Sequence, residues 1–103
     1  MNKNISIASD VKKILNIIKE ISPGSTVELR IPGYAAIQCV AGGNHRRGTP
    51  PNTVEMSGQT LLKLIKEPNF WSEMVDSGQI SASGLASDLS QIFVVAAALY
   101  EAN

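Results

Sequence analysis

The chain has 103 residues, 44% of them hydrophobic and 17% charged, with nine basic side chains balancing nine acidic ones. That length suits one domain spanning residues 1–103, and the absence of a basic excess excludes nucleic acid as the main partner. Cys39 is the single cysteine, so no internal disulfide can form, and no stretch approaches the roughly 20 apolar residues of a membrane span, which makes the cytoplasm the expected location.

In "SDVKKILNIIKEIS", Val11, Ile14, Leu15, Ile18 and Ile21 recur at helical spacing, with Ser9 placed as N-cap and Pro23-Gly24 closing the segment. Lys12, Lys13 and Lys19 fall off the apolar stripe, on a solvated face. "TVELRI" alternates, which puts Val27, Leu29 and Ile31 on one side of a half-buried strand. "YAAIQCV" is apolar on both faces apart from Gln38, the pattern of a central strand covered on two sides. Pro32-Gly33 joins the two strands, and since proline cannot supply the positive φ of a tight primed turn, a looser connection or a bulge at Gly33 is expected.

After "HRRGTPPN", "TVEM" reads as a short strand. Ser57 then caps a helix carrying Leu61, Leu64 and Ile65 that stops by Pro68. Asn69 offers a cap for a second helix, with Phe70, Trp71 and Met74 turned inward and Gly78 ending it. "QISAS" alternates as another strand, and Ser87 or Ser90 caps the last helix. That helix holds "IFVVAAALY", nine apolar residues without a charge, too short to cross a bilayer and too apolar for water on all sides. It must face protein, ligand or a second subunit. The order of elements predicts an α+β fold, a mixed and mostly antiparallel sheet of four to five strands covered by helices.

Groups that could carry chemistry are few. A metal at Cys39 and His45 would need further ligands, and Cys39 lies within an apolar strand, where a thiol behaves as a small hydrophobe. No dinucleotide fingerprint or P-loop is present. The expectation is therefore no enzyme, no cofactor and no metal. His45, Arg46 and Arg47, beside Gly42, Gly43 and Gly48, could cradle a carboxylate or phosphate headgroup. The preferred reading is structural, with one arginine pairing with Glu28 or Glu55 while Pro50-Pro51 stiffens the loop, and the headgroup site comes second.

"PGSTVELRIPGYAAIQCVAGGNHRRGTPPNTVEM" followed by "SGQISASGLASDLS" resembles the small bacterial sterol carrier-like proteins, relatives of the sterol carrier protein 2 domain. The resemblance covers about residues 22 to 95. Its most specific pieces are the run from Arg47 to Asn52, Val54-Glu55, and "ISASG" leading into Asp88-Leu89. It implies helices over a mixed sheet enclosing an apolar tunnel for a fatty acyl chain or sterol-like ligand. The implied tunnel walls are Leu61, Leu64, Ile65, Phe70, Trp71, Met74, Ile92, Phe93 and Ala96, in a carrier that binds lipid without changing it. The alternative it implies is a protein interaction module without ligand, like the domains appended to some bacterial enzymes.

A dry pocket of about 300 Å³, at roughly 24 cal/mol per Å³, would remove around 7 kcal/mol from a domain with only about 5 to 15 in total. The sequence therefore allows an occupied tunnel, an open wet groove, or an apolar patch closed by a second subunit, as in a homodimer through the last helix.

Overall fold

The computed structural model of the protein describes residues 3–42 and 50–102, with side chains from Ile7 onward. In chain order its elements are helix α1 (Lys3–Ile21), strands β1 (Val27–Ile31), β2 (Ala35–Cys39) and β3 (Asn52–Met56), helix α2 (Gly58–Lys66), a 3-10 turn (Pro68–Phe70), helix α3 (Trp71–Asp76), strand β4 (Ile80–Ser83) and helix α4 (Ser90–Ala102). The fold is α+β. Its four-stranded sheet runs in the order β2-β1-β3-β4, with β1 antiparallel to β2, parallel to β3, and β3 antiparallel to β4.

The alternation read in the sequence of β1 holds. Val27, Leu29 and Ile31 are fully buried beneath the helices, and Val54, Met56 and Ile80 extend the same face across β3 and β4. On the opposite, wet face Arg30 pairs with Glu28 at 3.1 Å and with Glu55 at 3.7 Å. Those two carboxylates, expected to anchor an arginine of the 45–52 loop, are thus both engaged by Arg30; Arg46 and Arg47 lie outside the described residues.

β2 differs from the expectation. It is an edge strand, with Ala35, Ala36 and Gln38 exposed and only Cys39 fully buried. An apolar pattern reports which faces are to be covered but not whether a neighbour lies on both sides, and here α1 covers one face only. The β1–β2 connection is a three-residue link in which Tyr34 N–H donates to the Ile31 carbonyl at 2.9 Å and Gly33 takes φ +85°. Proline followed by glycine at the two central positions is the signature of a type II turn. The ladder then continues without a bulge from Ile31↔Ala35 to Val27↔Cys39.

α1 begins earlier than its expected cap at Ser9, because Ile7, Val11, Ile14 and Ile18 continue one apolar stripe a turn further back. α2 starts where predicted: Ser57 Oγ accepts from Thr60 N–H at 3.1 Å. Asn69, by contrast, makes no capping bond. Pro68 opens a 3-10 turn that runs straight into α3, and proline fits such a first turn because no N–H is needed there. At α4 neither Ser87 nor Ser90 caps: the helix starts at Ser90 itself, the Leu89 carbonyl accepts from Phe93 N–H at 3.0 Å, and Asp88 Oδ1 accepts from Ser90 N–H at 2.9 Å. Ser87 instead donates to the Gly84 carbonyl at 2.8 Å and closes the preceding turn.

Candidate functional site

The residues expected to line a tunnel fall mostly into the core. Leu61, Leu64, Ile65, Trp71, Met74, Phe93 and Ala96 are buried together with the inner sheet face, and the Trp71 and Phe93 rings sit 6.0 Å apart between centroids. Ile92 is half-buried at the margin. Phe70 is not turned inward: the 3-10 turn rotates it out of the helical layer and leaves it 42% exposed.

The open apolar surface lies instead on α4. Phe93 and Ala96 occupy the side facing α1 and α2, while Val94, Val95 and Leu99, on the side away from them, are 41%, 50% and 42% exposed. Gln91 and Ala98 complete that outer side, and from Ser90 to Tyr100 the helix carries no charge. Sequence periodicity could not separate the two sides, because both are apolar.

Two clefts flank this ridge. One, of about 350 Å³, is lined by Ile65, Lys66, Ala97, Tyr100 and Glu101, where the ends of α2 and α4 meet. The other, of about 230 Å³, is lined by Ile21, Ser22, Gln91, Ile92 and Val95, between the end of α1 and the start of α4. Each joins an apolar floor to a few polar rim groups, as small-molecule sites do; the first is at the low end of the usual range of about 300–1,000 Å³ and the second falls below it. At the first cleft, Tyr100 Oη donates to Asp10 Oδ1 at 3.1 Å, and Lys13 Nζ stands 5.3 Å from the ring centroid. Partial burial, with the Asp10 hydrogen bond behind it, raises the phenol pKa, so the ring is a neutral wall.

Cys39 is buried among apolar side chains, and burial pushes its thiol up to about 11. A thiol protonated at neutral pH is a poor nucleophile and metal ligand. His45, Arg46 and Arg47 lie outside the described residues. Among the described residues no group of three or more histidine, cysteine, aspartate or glutamate side chains could hold a metal ion, and no helix is long and apolar enough to cross a membrane.

Sequence reading missed the role of Asn52. Its Nδ2 donates to the Thr26 carbonyl at 3.0 Å and its Oδ1 accepts from Ala86 N–H at 2.9 Å, tying the start of β1 to the turn before α4. Gly84 in that turn has φ +107°, and a side chain there would run into Asn52. The turn so held presents Leu85 wholly to solvent.

Among known proteins, the family described as bacterial SCP ortholog matches residues 3–95. No curated protein sequence matches the chain. A solved structure titled UbiJ-SCP2 ubiquinone synthesis protein is similar over 100% of this chain and 98% of its own, with a TM-score of 0.52 at 17% sequence identity. With that likeness of fold and the family matched over residues 3–95, the chain belongs to the bacterial sterol carrier protein orthologues and has the sterol carrier protein 2-like fold.

Proposed function

We propose that the protein is a non-catalytic carrier that holds the apolar tail of a lipid along α4, in the clefts on either side of the Val94, Val95 and Leu99 ridge. The observation that supports this most is a solvent-facing helix side without a charge, beside a core of buried apolar side chains. Burying exposed apolar area at about 25 cal/mol per Å² gives a tail its affinity without any chemical step. The inner residues Leu61, Leu64, Ile65, Trp71, Met74, Ile92, Phe93 and Ala96 form the wall behind the ridge, and a tail that wedges α4 outward would reach them. Phe70 marks a further mouth at the 3-10 turn. The non-catalytic part of the reading is supported by the buried, protonated Cys39 thiol.

Ligands of two kinds fit: a fatty acyl chain, and an isoprenoid tail such as a quinone bears, the latter suggested by the ubiquinone synthesis protein of the same fold. Titration with a fluorescent long-chain fatty acid and with a polyprenyl quinone, read through Trp71 emission, tests both. Saturable change at micromolar ligand, weakened by Val95→Asp, is expected. A flat response to both, with no lipid recovered by organic extraction of the purified protein, would sink the carrier reading.

That second outcome would favour an interaction module whose α4 ridge is covered by a partner chain or by the same helix of a second copy. The exposure of Val94, Val95 and Leu99 supports this alternative as well. Recovery of a stable complex with no lipid in it would select it.

A further inference from the structure

The placement of β2 conflicts with its composition. Ala35, Ala36, Ile37, Gln38 and Cys39 carry neither charge nor proline, and the strand has no bulge, three of the devices that stop an edge strand from joining another. Through the pairs Leu29↔Ile37 and Ile31↔Ala35, β2 extends the inner apolar row of β1. Yet Leu29 and Ile31 are fully buried, whereas Ile37 is half-buried and Ala35 exposed. A neighbour on the open side would complete that row. Along the same edge, Tyr34 is 37% exposed, and a cleft of about 400 Å³ lies open between α1 and the start of β2. The opposite edge is shorter and more polar: β4 has four residues, two of them serine.

We propose that two copies of this chain join through β2, antiparallel about a two-fold axis near Ile37, so that the two four-stranded sheets become one. This contact is separate from the α4 ridge and does not depend on what that ridge binds. Pairing about Ile37 sets Ala36 opposite Gln38 of the second copy and Ala35 opposite its Cys39, so no like charges meet. The nearest charges on the neighbouring strand, Glu28 and Arg30, are already paired with each other. Isologous contacts need such a self-complementary surface. An unrelated extended peptide could make the same backbone bonds, but only a second copy brings an uncharged edge of equal length whose apolar row runs on from this one. In that dimer β2 is a central strand, which is what its sequence describes.

The area sets the strength. Two five-residue strands with Tyr34 beside them bury roughly 400–500 Å² per copy, about half of the ~800 Å² of a stable interface. The dimer is therefore weak and separates on dilution. Sedimentation velocity over a rising concentration series tests this, together with amide exchange at low and high concentration. In the unmodified protein the average mass is expected to climb toward twice the monomer, while exchange at residues 35–39 slows. Ala35→Lys with Gln38→Lys, both on exposed positions, is expected to hold the protein at monomer mass with unchanged circular dichroism. Val95→Lys is expected to dimerise as before. Monomer mass at every concentration overturns the proposal; so does a double variant that still dimerises, or a Val95→Lys variant that does not. Should the double variant unfold, exchange in the unmodified protein decides: slowing at β2 supports the proposal, and slowing confined to α4 overturns it.

Discussion

Asn52 shows how much one side chain can hold. It is 94% buried by its 6% exposure, and both ends of its amide are bonded, to Thr26 and to Ala86. Removing it in Asn52→Ala leaves two backbone groups to find new partners, so a loss of about 2 to 3 kcal/mol is expected in urea unfolding. Cys39 offers a pH test. Its thiol stands at about 11 in the folded protein against an ordinary 9.0, so the folded state holds the proton more tightly. Its contribution is fully present below pH 9 and drains away as pH rises toward 11, by about 1.4 kcal/mol per pH unit. Urea midpoints across that range should fall more steeply for the unmodified protein than for Cys39→Val. Burial of Cys39 was legible from the apolar run around it. The grip of Asn52 was not, since a polar residue beside two prolines reads as loop until its partners, 26 and 34 residues away, are known.

Among the elements, α2 and α4 illustrate opposite demands. Leu64 on α2 is fully buried, and Leu64→Ala should cost about 2 to 5 kcal/mol through lost contacts and a cavity. Val95 on α4 is half exposed, and Val95→Asp should shift stability by no more than about 0.5 kcal/mol while weakening lipid binding. Finding both effects on one variant, or neither, would contradict the separation of core from ridge. The start of α2 could be read from Ser57 followed by helical spacing, because a local hydrogen bond sets it. The orientation of Phe70 could not, because it depends on Pro68 winding a tight turn rather than on periodicity. The edge position of β2 escaped for a related reason: side-chain pattern encodes faces, and strand order is decided by contacts far apart in the chain.

For the whole molecule, a ligand that binds only the folded state raises stability by mass action, about 2.7 kcal/mol at a hundred times Kd. The thermal midpoint should therefore climb with the logarithm of added fatty acid and stay put with a short-chain acid of the same charge. The mixed sheet with helices over it was foreseeable from element order and from the resemblance around residues 47–52. Which face of the helical layer stays open was not, because the sum of apolar residues exceeds what one core can absorb and their spacing does not rank them. The sheet order has a kinetic side. β1 closes on β2 across three residues, a hairpin that forms in roughly microseconds. Its parallel pairing with β3 must wait for a strand that follows a longer stretch of chain, and β4 waits for two helices to wind first. On a ribosome, the hairpin thus emerges early with one flank of β1 still bare, and the chain is most vulnerable to misassociation until Met56 has left the exit tunnel.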